Sequence, residues 1–475
     1  MPSLVKATFW SAIQRFGGLA IGFISNIVLA RLLCPEDYGI VGLIMVFVGF
    51  ADVLVDGGLG NALIQKKEIS QDDISTVFSS NLGISIFLFL ILYVTAPSIA
   101  TYVEVENFAL YLRVEAVMIL LRAFYVIHFS LLNREMNFQK LASISLGVNA
   151  FSTLIAISMA FCGCGVWSLI VRNLCLDLFS LIAYYIFCKF SFSFHINKES
   201  FHGLFGFAFF IAFANLLESL YSNLLSFILG KKFSVIELGY YNQAYSLEQI
   251  PVYSVTAILN QVFFPFLSKE QENLDKMRVD LERSIKSMSF FVYPMMFYLI
   301  CFAKPIIVIL YSEKWLPAVP FFQILCILGF TNFLYHLNRS VLKAVGESKK
   351  LFYSQVLVCC IGVVLIMLSM PFGIKTVVAS VALNSVIGLM IVVLYTGKKI
   401  NFGLFYQFKA ILTNFIFALI AGVLSFIVFG GLSLNNILTV SFSFILYSFI
   451  YLVFHLLFKS SPYGIVKSVI LNYKK

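Results

Sequence analysis

Windows of roughly twenty apolar residues follow one another along the whole chain, and that recurrence excludes most folds before any motif is considered. They fall near 9–32, 38–64, 76–99, 109–132, 141–162, 166–188, 204–229, 239–264, 287–311, 318–342, 351–371, 374–396, 408–429 and 436–458. A window of this length matches the hydrocarbon core of a bilayer, where each backbone amide must find its partner within the chain, so the spans are predicted to be helices. With 60% of the 475 residues hydrophobic and 12% charged, nothing between the windows is long enough to fold as a soluble domain. The expectation is an all-α integral membrane protein of about fourteen transmembrane helices. The first span runs directly into a second and lacks a small-residue cleavage site, so it reads as a retained helix.

Charge placement orients the spans. Of 33 Lys and Arg residues, those near the N-terminus, in the even-numbered connections and in the tail far outnumber the few on the opposite side, which are Arg31, Lys231, Lys232, Lys304, Lys314 and Lys375. The positive-inside rule then places both termini in the cytoplasm. The charged segment 265–286 falls on that side and reads as an amphipathic surface helix. Tight turns between antiparallel helices are predicted at Gly163, Gly165 and Gly373. The nine cysteines have no metal-ligand spacing and read as packing residues.

The chain also repeats itself. RLLCPEDYG from Arg31 has a counterpart at KKFSVIELG from Lys231, and NFQKLASISLGVNAF from Asn137 one at ESKKLFYSQVLVCCI from Glu347. Gly163 and Gly373 share the second offset. Each half holds an even number of spans and so enters from the same side, which makes the repeat parallel, a transporter design. The predicted divisions are 1–200 for helices 1 to 6, 201–400 for helices 7 to 12, and 401–475 for an added pair with the tail.

Several stretches together resemble one family: LARLLCPEDYGIVGL from Leu29, GLGNALIQKKEIS from Gly58, LLNREMNFQKLA from Leu131, GVWSLIVRNL from Gly165, LGYYNQAYSLEQIP from Leu238 and EKWLPAVPFFQIL from Glu313. In order and register over about 4–400, they are similar to the Wzx-type oligosaccharide-lipid flippases of the MOP exporter superfamily, especially the colanic-acid and lipopolysaccharide exporters. The resemblance implies two six-helix lobes around a cavity that opens to one face at a time. It implies as substrate an undecaprenyl-pyrophosphate-linked sugar unit, carried from the cytoplasmic to the periplasmic leaflet of the bacterial inner membrane. The final helix pair matches in hydrophobicity alone.

Five arginines lie inside spans: Arg15, Arg113, Arg122, Arg172 and Arg339. A charge at that depth is costly and marks a site by default, and the planar guanidinium fork suits phosphate. Arg15, Arg122 and Arg172 are therefore candidate pyrophosphate ligands. A static pair between Arg15 and Asp56, which lie at similar depth, is a direct competitor. Polar stripes on the seventh span (Asn215, Glu218, Ser219, Ser222, Ser226) and the eighth (Asn242, Ser246, Gln249, Tyr253, Thr256) suit a wet lining, with Asn242 and Gln249 as substrate contacts. The same stripes suit interhelical hydrogen bonding.

Deep acids at Asp52, Asp56, Asp177, Glu218 and Glu248 are candidates for coupling transport to a proton or sodium gradient, with Glu218 and Glu248 foremost. Pro251, Pro294 and Gly57, Gly58 and Gly60 are candidate hinges or fixed kinks. No other cofactor is expected. A glycosyltransferase or polymerase would require periplasmic acids, and Glu104 and Glu106 are the only ones in the longest early loop. There is no Gly-Lys-Ser/Thr phosphate loop. The expected partners are a lipid-linked oligosaccharide, the bilayer and a polysaccharide polymerase, not nucleic acid. A multidrug exporter of the same two-lobed fold is the nearer rival.

Overall fold

The structure is a computed structural model that describes residues 4–56, 63, 66, 69–188, 193–201, 216, 219–221, 223–258, 273–430, 432 and 435–464. The helices are α1 (Leu4–Leu32), α2 (Pro35–Asp56), α3 (Gln71–Val103), α4 (Phe108–Arg134), α5 (Phe138–Phe161), α6 (Val166–Phe187), α7 (Val235–Ile258), α8 (Leu274–Cys301), α9 (Ala303–Tyr311), α10 (Val319–Ala344), α11 (Ser348–Ser369), α12 (Ile374–Ile400), α13 (Leu404–Phe429) and α14 (Asn436–Leu457). Among the described residues, 12 helices are long and apolar enough to cross a membrane, so the chain is a multi-pass membrane protein. Of the fourteen predicted spans, 204–229 falls largely outside the described residues. The span predicted at 239–264 corresponds to α7, which is helical but is not among the twelve.

Two boundaries differ from expectation for physical reasons. The polar stretch read as a separate surface helix is, from Leu274, the first part of α8, which runs without a break into the apolar span as far as Cys301. The predicted span 287–311 divides at Phe302. Pro305, lacking an amide hydrogen, sits in the first turn of α9, where that loss costs nothing. Both α7 and α8 stay helical through Pro251 and Pro294. Gly57, Gly58 and Gly60 lie outside the described residues.

The chain forms two compact units, 1–242 and 243–475. In the first, α5 packs along α1 and α6, while α4 contacts α2, α3 and α6. Entry into α3 is fixed by a capping box: Ser70 Oγ accepts from the Asp73 amide, Asp73 Oδ2 accepts from the Ser70 amide, and Lys66 closes on Asp73 at 2.7 Å. In the second, α8 packs on α10 and α13, α12 on α10 and α11, and α14 on α13.

The repeat is visible in the hydrogen bonds. Glu135, Met136 and Asn137 donate to the carbonyls of Leu131, Asn133 and Leu132, and Val345, Gly346 and Glu347 donate to those of Val341, Lys343 and Leu342. Met136 (φ 56°) and Gly346 (φ 75°) take the same left-handed conformation in these turns. Further along, the residue that precedes each returning helix is Gly165 before α6 and Gly373 before α12, so the correspondence has slipped from Gly163 to Gly165.

The added pair α13–α14 is pinned to α8 by polar groups buried in apolar surroundings. Asn414 donates to Ser289 Oγ at 2.6 Å, Tyr451 to the Phe290 carbonyl at 2.9 Å and Tyr298 to the Val440 carbonyl at 2.7 Å. Away from water such bonds cannot be exchanged for solvent, so they fix where the pair sits on α8.

Candidate functional site

Three helices of the first unit direct charge at one another within their membrane-spanning lengths. Helical spacing dictates part of this: Glu115 and Arg122 are seven residues apart on one face of α4, and Asn173 and Asp177 four apart on α6. Arg122 bridges two carboxylates. It meets Asp52 of α2 at 2.5 Å and holds Asp177 in a fork, Nη2 at 3.1 Å and Nε at 3.3 Å. Tyr125 donates to the same Asp177 at 2.6 Å. Glu115, fully buried, accepts from Asn173 at 2.7 Å, and its other oxygen has no hydrogen-bond partner among the described residues. It lies within electrostatic range of Asp52, Arg122 and Asp177. The group therefore carries three acids against one guanidinium.

Arg122 and Asp52, assigned separate roles from sequence, thus belong to a single network. Glu115, Asn173 and Tyr125 were missed in the sequence. The seven-residue spacing of Glu115 and Arg122 was a readable signal, whereas Asn173 is contributed by a different helix. Arg172, adjacent to this network on α6, differs from Arg122. Among the described residues its one hydrogen bond is to Asn149 at 3.4 Å, and its buried Nε has none. Among the described residues it is a membrane-embedded guanidinium without a carboxylate partner.

The remaining candidates are dispersed. Arg15 occupies an exposed position on α1. Asp56 ends α2 with its side chain outside the described residues, so the Arg15 to Asp56 pair is too. Asn242 donates to the Tyr38 carbonyl at 3.4 Å, a contact within the first unit. Asn215, Glu218 and Ser222 fall outside the described residues.

In the second unit, Glu248 of α7 is fully buried. One of its oxygens accepts from Gln249 at 2.9 Å and the other has no hydrogen-bond partner among the described residues, with Cys326 of α10 nearby. Arg339 of α10 donates to Gln355 at 2.8 Å and Tyr335 at 3.0 Å, both neutral.

A family model described as "Polysaccharide biosynthesis protein" matches residues 28–320, more than half of the chain. The chain belongs to this family. Teichuronic acid biosynthesis protein TuaB of Bacillus subtilis is 26% identical over 74% of this chain and 74% of its own length. Succinoglycan biosynthesis transport protein ExoT of Rhizobium meliloti is 25% identical over 72% of this chain and 70% of its own. Among solved structures, lipid II flippase MurJ in an inward closed conformation superposes with a TM-score of 0.74 over 96% of this chain and 98% of its own at 16% identity, a likeness of fold. The segment matched to the polysaccharide biosynthesis family contains Asp52, Glu115, Arg122, Arg172, Asp177 and Glu248; Arg15 and the α13–α14 pair lie outside it.

Proposed function

We propose that this chain is a flippase, not an enzyme: it carries undecaprenyl-pyrophosphate-linked oligosaccharide units across the bacterial inner membrane by alternating access, supplying cell-surface polysaccharide or lipopolysaccharide synthesis. The supporting relatives are named for teichuronic acid biosynthesis and for succinoglycan biosynthesis transport. The structural observation that carries the reading is Arg172. A half-buried guanidinium in a membrane span, with no carboxylate partner among the described residues, is costly unless an anion arrives, and the pyrophosphate of a lipid-linked sugar is an anion presented at membrane depth.

In this reading Arg172 and Arg15 contact pyrophosphate, and Asn242 and Gln249 contribute polar lining. Arg122 joins them only when one of its two carboxylates is released. Protonation of Asp52 or Asp177 is one way to release it, which makes this network the proposed link to a proton gradient, with Glu115, Glu248 and Glu218 as further candidates. Both termini are proposed to be cytoplasmic, with lobes of helices 1 to 6 and 7 to 12 and a polysaccharide polymerase as downstream partner. The test is a deletion strain of the source organism. Accumulation of a lipid-linked repeat unit, with its sugars identified by mass spectrometry, is the expected result; unchanged lipid-linked intermediates and normal surface polysaccharide would overturn the proposal.

A further inference from the structure

The second unit contains a groove of about 660 Å³ between the polar start of α8, the start of α13 and the residues that follow α14. Among the described residues its lining carries Arg278, Lys286, Lys409 and Lys459 against one carboxylate, Glu282. Glu282 is occupied by Lys286 at 2.6 Å. Arg278 lies over the faces of Tyr406 at 5.5 Å and Phe402 at 6.0 Å, which hold it in place without cancelling its charge. Lys409 and Lys459 are exposed and have no ion-pair partner among the described residues.

Further along α13 the wall is mostly apolar, with Thr413 its one polar member on that helix among the described residues. It is formed by Leu412, Ile416 and Phe417 of α13, and exposed Phe458 ends the adjacent helix. Exposed Phe405, Tyr406 and Phe408 cluster at the same end of α13, as aromatic residues do at a headgroup boundary. Lys459 is held at the rim by a backbone constraint. Its left-handed conformation (φ 44°) stops α14, and the following turn is tied back by Ser460, which donates its amide to the His455 carbonyl.

We propose that this groove binds an anionic glycerophospholipid of the bilayer, its phosphate among Arg278, Lys409 and Lys459 and an acyl chain against Leu412 and Ile416. Excess positive charge above an apolar wall, at an aromatic boundary, is complementary to such a lipid at both ends. The site is separate from the charges in the first unit and does not depend on the transport reading. The bound lipid would brace the α13–α14 pair against α8.

The test uses the purified full chain in neutral detergent, titrated with phosphatidylglycerol or with phosphatidylcholine of the same acyl chains, retained lipid being counted by native mass spectrometry. Preferential retention of phosphatidylglycerol is expected. Lys409→Gln with Lys459→Gln should weaken it by roughly fivefold per lysine, at about 1 kcal/mol per surface cation. Lys409→Arg with Lys459→Arg should retain it, separating loss of charge from loss of fold. Equal retention of the two lipids, or wild-type retention by the glutamine variant, would overturn the site. Displacement of phosphatidylglycerol by millimolar inorganic phosphate would reassign it to free phosphate, and preference for undecaprenyl phosphate over phosphatidylglycerol would reassign it to the transported lipid; either would overturn the proposal.

Discussion

Gly39 and Gly239, the residues that close the two copies of the repeated motif, each lie against the other copy's backbone: a Cβ on Gly39 would overlap the carbonyl oxygen of Val235, and one on Gly239 the carbonyl oxygen of Pro35. Pro35 and Val235 occupy equivalent places in the two motifs, so the approach is reciprocal, as a local two-fold would make it. Glycine here is required by contact between backbones, the way small residues let membrane helices close on one another.

Gly39→Ala and Gly239→Ala should each destabilise the protein by about 1–3 kcal/mol or more, since a carbonyl cannot turn aside as a side chain can. Gly83→Ala, at a helical position where a Cβ meets nothing within 4 Å, is the control and should leave stability unchanged or slightly raised. Thermal melting in detergent distinguishes them, and equal melting of all three would refute the backbone contact.

Arg122→Ala should reduce the amount of folded protein, because it leaves Asp52 and Asp177 together without their cation; Arg122 and Asp52 are half-buried, so the loss should fall below the roughly 3–5 kcal/mol of a fully buried pair. Replacing Asp177 with Asn and Asp52 with Asn in the same chain should restore much of the loss. A double-mutant cycle on melting midpoints gives the coupling, and additivity would show that the ion pairs contribute nothing.

Glu347, outside the spans at the turn before α11, is bonded by Lys350 at 3.0 Å and Lys399 at 3.2 Å, and these hold its carboxyl below the usual range. A lowered folded-state value means the contribution is present above the unfolded pKa, about 4.3, and is lost as pH falls through the folded value. Melting midpoints should therefore decline on acidification below about pH 4, with a shallower decline in Glu347→Gln. Identical profiles would contradict the assignment.

Tyr451→Phe removes the bond from α14 to the Phe290 carbonyl of α8 and should cost about 1 kcal/mol. Because the ring remains packed, the change should appear as faster proteolysis or hydrogen exchange confined to α13–α14. A uniform change across the protein would show that the pair is not held locally.

The sequence was most readable where turns repeat. The motifs around Asn137 and Glu347 predicted a second copy, and the turns that precede them carry the same three hydrogen bonds. Reading failed where one helix passes from water into the apolar layer, as α8 does, because a hydropathy window detects only the apolar part. It failed at Phe302 because Pro305, a helix breaker in an interior, is also a helix starter. At the site, Glu115 and Arg122 were legible as a face of α4, but Asn173 is 58 residues away along the chain from Glu115, and only folding brings them together. Spacing along a helix predicts its own face and is silent about what another helix presents to it.

The central claim is tested most directly by translocation in vesicles. The purified chain is reconstituted with a fluorescent undecaprenyl-pyrophosphate oligosaccharide, and the fraction of label reached by a membrane-impermeant quencher is followed over time. Protein-dependent growth of that fraction, abolished by Arg172→Ala in a variant that melts like the wild type, is the predicted result. Vesicles containing folded wild-type protein that expose label no faster than empty ones, under every imposed ion gradient, would contradict it.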